Sequence, residues 1–309
     1  MEKEIRTILV PLDFKEPSQK ALEFAYNVAE YNRDELVMLY VVETPGWLSE
    51  FFKSGDELVK IVDDAKEKLQ EIADKFKQTH PKVKTTTRVV RGKAYEQILK
   101  IARKMDVEYI VLGENHQGSK KEKELGTTVY HVTLKCSSPV LIFKGHRVET
   151  GKKILVPVDL TKESSKKLDS ALDYAEKYGA EVHLVSALVG GIKVKQSRIY
   201  RKLKRARKHF TDKGIECHIQ IFPRSEKPPY EHVLEYGDEI EADLILIMTH
   251  QEKASYDNYI GAFAHHIINE SKVSVLSFTA SASKMNFSQM MSDMVDPAGI
   301  FKNTGLDTD

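Results

Sequence analysis

Short unbroken apolar runs alternate along this chain with longer stretches whose apolar residues recur every three or four positions. Residues 8–13 read ILVPLD, and residues 154–159 read ILVPVD, 146 positions later. An apolar run of this length, closed by proline and a polar residue, fits a strand buried on both faces in a parallel sheet. Each run is followed by a polar turn and then by helical spacing. Leu22, Ala25, Val28 and Ala29 share one helix side in the first half, and Leu168, Ala171, Leu172 and Ala175 do so in the second. Pro17 suits a first helical turn, where no amide donor is needed.

The same order continues in both halves. Second strands read ELVMLYVV (35–42) and EVHLVSAL (181–188). A helix is predicted from near Leu58, with Ile61, Val62, Ala65, Leu69, Ile72, Ala73 and Phe76 on its apolar side. Its counterpart over 196–213 is strongly basic and has a thinner stripe of Ile199, Leu203, Ala206 and Phe210. Third strands fall near 84–90 and 216–222, third helices near 94–105 and 230–240, and fourth strands at 108–113 and 243–249. Short helices start near Gly126 and Gly261, and final strands occupy 139–143 and 274–278. Strands alternating with helices of this length make right-handed βαβ units. The prediction is two tandem α/β domains, 1–146 and 151–279, each a mostly parallel five-stranded open sheet between helix layers. The strand order is expected to be of the flavodoxin type or a near relative. The final strands of the halves would otherwise be bare edges, so they are expected to pair with each other. Residues 280–309 fit neither repeat. They read as a polar tail with Met285, Met290, Met291 and Met294 interspersed.

Composition adds mainly exclusions. The formal charge is +1, so no bulk field favours nucleic acid or an anionic membrane. Two cysteines, Cys136 and Cys217, make no disulfide framework and suit a reducing compartment. The N-terminus shows no signal-peptide pattern, and no apolar stretch approaches spanning length. The expected location is the cytoplasm, with neither membrane nor nucleic acid as partner. The basic run over 196–213 reads as a solvated helix face.

Ligands of open parallel sheets sit beyond the carboxyl ends of the strands, where the strand order reverses. That rule singles out Asp13, Val41 to Thr44, Gly92 and the segment from Gly113 to Thr128. Asp13 can accept hydrogen bonds from a base or ribose, and can equally serve as a turn or capping aspartate. Gly113 ends a strand, where a missing Cβ lets a ligand approach the backbone. Gly126, Thr127 and Thr128 open a helix whose free amides favour an anion, with Lys120, Lys121 and Lys123 nearby. Other chemistry fits less well. Gly118-Ser119-Lys120 lacks the residue order and place of a phosphate loop, and no Gly-x-Gly-x-x-Gly or Gly-x-Ser-x-Gly occurs. His250, His265 and His266 lack metal-ligand spacing, so no metal site is expected. Trp47, Phe51 and Phe52 suit a lid, an interface or simple packing.

Taken together, VPLD (10–13), EPS (16–18), Gly92-x3-Glu96-x-Ile98, VLG (111–113), Gly126-Thr127 and SSPVLIF (137–143) resemble the universal stress protein family in tandem form. The resemblance covers about residues 5–279. The family's glycine motif takes the form Gly113-x2-His116-x9-Gly126-Thr127, with His116 in place of a glycine. The resemblance implies an intrachain pseudo-dimer, and leaves open a homodimer and an unidentified protein partner. It also implies that Pro11, Asp13 and Val41 meet adenosine, Leu112 and Gly113 line the ribose, and Gly126, Thr127 and Thr128 hold phosphates, with His116 beside them. The ligand would be ATP or another adenine nucleotide, with or without Mg2+. The second half carries Thr249 and Ala262 at motif positions, so binding is expected in the first half alone. Three functions compete: a nucleotide-sensing stress regulator, an interaction module that binds no cofactor, and a weak nucleotide hydrolase.

Overall fold

The computed structural model describes residues 6–43, 55–114, 126–145, 152–160, 164–188, 193–249 and 261–279. The first half runs β1 (Thr7–Leu12), α1 (Glu16–Asn32), β2 (Glu35–Val42), α2 (Gly55–Thr79), β3 (Thr85–Arg91), α3 (Ala94–Met105), β4 (Tyr109–Gly113), α4 (Thr127–Lys135) and β5 (Val140–Phe143). The second repeats the order with β6 (Lys153–Pro157), α5 (Ser164–Tyr178), β7 (Glu181–Ala187), α6 (Arg198–Asp212), β8 (Cys217–Phe222), α7 (Pro229–Glu239), β9 (Leu244–Thr249), α8 (Ala262–Glu270) and β10 (Val275–Thr279).

Strand alternation sorts the core into two layers. Ile8 and Val10 of β1 join Leu22, Ala25 and Val28 of α1 and Leu69 of α2 on one face of the sheet. Leu9 joins Ile98 and Ala102 of α3 and Val132 of α4 on the other. Every one of these side chains is buried, each large one contributing about 1.5–3 kcal/mol of transfer free energy. The second half continues both layers. Tyr174 and Phe210 lie with the α1 side, and Val233 and Ile267 with the α3 side.

All ten strands form one sheet, in the order β3-β2-β1-β4-β5-β10-β9-β6-β7-β8. Within each half every pairing is parallel. The order within each half is 3-2-1-4-5, that of a Rossmann sheet without its sixth strand, and not the 2-1-3-4-5 of flavodoxin. The reversal therefore falls between β1 and β4. The two halves meet as the apolar final strands predict: β5 and β10 pair antiparallel, with Leu141 opposite Leu276. An antiparallel central pair relates the halves by an approximate two-fold axis through the sheet, giving the intrachain pseudo-dimer. Buried polar groups fix this junction. Lys144 Nζ donates to the carbonyl of Ile268 in α8 at 2.5 Å and pairs with Glu114. Burial pushes the Lys144 ammonium down and the Glu114 carboxyl up, and their mutual attraction opposes both shifts. Among the described residues, no helix is long and apolar enough to cross a membrane.

Candidate functional site

The crevice at the β1/β4 reversal is built first by a strained turn. β1 ends at Leu12, and α1 begins four residues later. Phe14 bridges them with a φ of 62°, a left-handed value that is uncommon for a bulky side chain. Its ring stacks on Tyr40 with centroids 4.3 Å apart, and Lys68 Nζ lies 4.5 Å above it. Asp13 closes the turn. One of its oxygens, Oδ1, accepts the Lys15 amide at 3.0 Å and the Ser18 hydroxyl at 2.6 Å. The other, Oδ2, stands 3.5 Å from the exposed Lys15 ammonium. The aspartate thus uses one oxygen for the turn and presents the other at the rim.

Opposite this turn, α4 begins at Gly126. No side chain caps it, and the first helical bond runs from the Tyr130 amide to the Gly126 carbonyl. The amides of Thr127, Thr128 and Val129 have no partner within the helix, which makes its N-terminus an anion-accepting surface. Gly126 has an ordinary φ of −55°, and a Cβ there would meet nothing within 4 Å. Among the described residues, neither backbone conformation nor a neighbour demands glycine at this position.

Gly113 is different. A Cβ on it would lie 2.2 Å from the Pro17 carbonyl oxygen and 2.7 Å from the Ser18 nitrogen. Its missing side chain lets β4 pack against the first turn of α1. The expectation that it clears room for a ligand is replaced by this close helix–strand contact.

Between the two sides lies a cleft of about 860 Å3. Pro11, Asp13, Val41, Leu112, Gly113, Gly126, Thr127 and Thr128 all line it. His116 lies outside the described residues, as do Lys120, Lys121, Lys123, Trp47, Phe51, Phe52, His250 and the tail methionines. Lys15, Tyr40, Lys93 and Tyr95, which the sequence pattern did not single out, also face the cleft, as does Ser18 of the EPS segment. Lys15 and Ser18 belong to the turn after Asp13, and Lys93 and Tyr95 to the turn after Gly92. Position next to a strand's carboxyl end was the signal that marks them. Glu43, a further carboxylate here, accepts the Ala94 amide at 2.8 Å and so caps α3.

The second half builds the same place differently. Lys167 stands where the first half has buried Ala21. Its buried ammonium donates to the Pro157 carbonyl, at the end of β6, at 2.6 Å. Burial pushes its pKa down to about 8, against the pull of Asp159. Lys202 Nζ reaches the Asp159 carbonyl at 2.9 Å. The registers of β4 and β9 correct the expected alignment: Met248, not Thr249, takes the place of Gly113, and Thr249 matches Glu114. Thr249 is buried and donates to the Thr133 carbonyl of α4 at 3.3 Å, across the junction of the halves.

A ten-stranded pseudo-dimer with a crevice in its first half, and two lysine ammoniums tied to the matching strand end in the second, defines a tandem α/β protein of the open-sheet class. Its sequence narrows the class further. The profile of the universal stress protein family matches residues 4–144 and 151–278, and the chain belongs to that family. Universal stress protein MJ0577 of Methanocaldococcus jannaschii is 27% identical over 155 residues, spanning 45% of this chain and 94% of its own length. A universal stress protein from Archaeoglobus fulgidus shares the fold with a TM-score of 0.69 and 21% identity, over 88% of this chain and 98% of its own. A Pseudomonas aeruginosa protein of unknown function, PA1789, does so with a TM-score of 0.64 and 18% identity, over 93% and 97%.

Proposed function

We propose that this chain binds an adenine nucleotide, ATP foremost, in the crevice of its first half and works as a cytoplasmic stress-response regulator. The observation that carries the reading is the open N-terminus of α4. Its amides, without a partner among the described residues, face a cleft whose opposite rim presents Asp13 Oδ2. Phosphates would meet Gly126, Thr127 and Thr128. Adenosine would lie against Pro11, Asp13 and Val41, with the ribose beside Leu112 and Gly113. Lys15 and Lys93 add positive charge at the rim and suit a polyphosphate. Among the described cleft residues, the carboxylates are Asp13 and Glu43, and both already serve turns or caps. That arrangement favours binding over turnover, and supplies no paired acid and base.

Gly113 favours a second reading, the interaction module that binds no nucleotide, because packing alone accounts for that glycine. Calorimetric titration with ATP separates the two. Asp13→Asn keeps the turn-forming Oδ1 and removes the charge, and Gly126→Val puts bulk over the phosphates. Each should weaken binding by the equivalent of about 1–3 kcal/mol, roughly 5–150-fold. Unchanged affinity in both folded variants overturns the site. A parent chain that takes up no adenine nucleotide supports the interaction module.

A further inference from the structure

The amino ends of β7 and β8 carry a second cluster, distant in the fold from the crevice of the first half. Two Glu-x-His steps lie where these neighbouring strands begin: Glu181-Val182-His183 opens β7, and Glu216-Cys217-His218 enters β8 from the residue before it. Alternation on a strand puts each glutamate on the same face as its histidine. The parallel register then sets His183 beside His218. The two imidazoles stack with centroids 4.8 Å apart. Glu181 Oε1 lies 2.6 Å from His183 Nε2 and 3.2 Å from His218 Nε2. Glu216 Oε1 lies 3.1 Å from His218 Nε2.

The fold does not ask for these residues. In the first half the same register pairs Val37 with Thr86, and Glu35 forms an ion pair with Lys84 at 2.5 Å. In the second half Glu216 takes the place of that lysine. Two carboxylates and two imidazoles therefore gather where the other copy holds an apolar side chain, a hydroxyl and a neutralised pair. His183 is buried, so its nitrogens must be satisfied.

We propose that Glu181, His183 and His218 form a Zn2+ site that staples the edge strand β8 to β7. Their ligand atoms lie within 4.8 Å of one another. Zinc bonds of about 2.0–2.1 Å place tetrahedral ligand atoms about 3.3 Å apart, so the cluster needs only a small opening between Glu181 and His183. Two imidazoles and one carboxylate match the ligand chemistry of zinc. Glu216 or water takes the fourth position. The far side of His183 is already prepared: its Nδ1 lies 2.8 Å from the Tyr236 hydroxyl on α7. That hydroxyl can donate to Nδ1 while Nε2–H faces Glu181. It can instead accept from Nδ1–H once Nε2 turns its lone pair to a metal. A metal here ties β8, the last strand of the described sheet, to β7 and through Tyr236 to α7.

The test is titration of the purified, metal-stripped full chain with Zn2+ alone, by calorimetry. Melting temperature and the visible absorption of the Co2+-loaded chain are read in parallel. His218 is half exposed on an edge strand, so His218→Ala leaves the core intact. The expected result is one Zn2+ per chain, with a dissociation constant below about 1 μM, and a raised melting temperature. His218→Ala and Glu181→Gln should each weaken binding by about 100-fold and remove the Co2+ spectrum. Tyr236→Phe should cost roughly 10–100-fold as an outer partner. His209→Ala, on the exposed face of α6, should change nothing. Absence of such binding, or an affinity unchanged in either His218→Ala or Glu181→Gln, would overturn the site.

Discussion

Gly113 and Gly126 belong to one sequence motif, and the fold gives them different work. A methyl group on Gly113 would sit 2.2 Å from the Pro17 oxygen, 2.4 Å from its carbonyl carbon and 2.7 Å from the Ser18 nitrogen. All three are backbone atoms in the first turn of α1, a turn pinned by Asp13 and Ser18. No flexible side chain can yield, so the helix or β4 must shift. Overpacking a core costs about 1–3 kcal/mol, and backbone opposition puts Gly113→Ala near ~3 kcal/mol. At about 2–4 °C per kcal/mol for a domain of this size, its melting temperature should fall by roughly 6–12 °C. Gly126→Ala meets no atom of the described residues within 4 Å, at a permitted φ. It loses only the preference for glycine over alanine at a helix N-cap, about 0.5–1 kcal/mol or roughly 1–4 °C. Differential scanning calorimetry of the two variants beside the parent checks this. A Gly113→Ala variant melting within about 2 °C of the parent, or a Gly126→Ala variant falling as far as Gly113→Ala, refutes the packing argument.

Two further outcomes follow from buried lysines. Lys167 has its folded pKa lowered to about 8 from an ordinary 10.5, so between those values the unfolded chain binds the extra proton and stability rises with pH. Relative to Lys167→Met, the parent should gain at most about 3 kcal/mol from pH 8 to 10.5; a flat difference in denaturant midpoints across that window contradicts the buried ammonium. At the junction of the halves, Lys144→Ala leaves the Glu114 carboxyl buried without its cation and should cost about 3–5 kcal/mol, whereas Lys144→Met with Glu114→Gln should recover most of it. Equal melting temperatures for the single and double variants would show that the pair is not what is lost.

Much of the architecture is legible in local pattern. The duplicated ILVP-x-D starts mark the repeat, and unbroken apolar runs mark strands covered on both faces. The short apolar ends at 140–143 and 275–278 announce their pairing, because a bare edge of that kind needs a cover. Strand order is not written locally: the same βα alternation serves 2-1-3-4-5 and 3-2-1-4-5, and only packing between distant segments selects one. Gly113 reads as a ligand-clearing glycine because its neighbour Pro17 is 96 residues away in sequence. Lys167 stands beside the apolar Leu168 and nothing in the sequence pattern singles it out, yet its buried ammonium reaches a strand-end carbonyl. Thr249 looks like the lost glycine in sequence, but the β9 register gives that place to Met248 and leaves Thr249 to bond the Thr133 carbonyl. The Glu-x-His steps are visible as strand alternation, but their convergence depends on the β7–β8 register.

The central claim is that one nucleotide binds per chain, in the first half. Calorimetric titration of the full chain with ATP to saturation, beside Asp13→Asn and Asp159→Asn variants, tests it most directly. The account predicts a stoichiometry of one, weakened by Asp13→Asn and untouched by Asp159→Asn. Two sites of similar affinity, or a single site that survives Asp13→Asn and fails with Asp159→Asn, would contradict it.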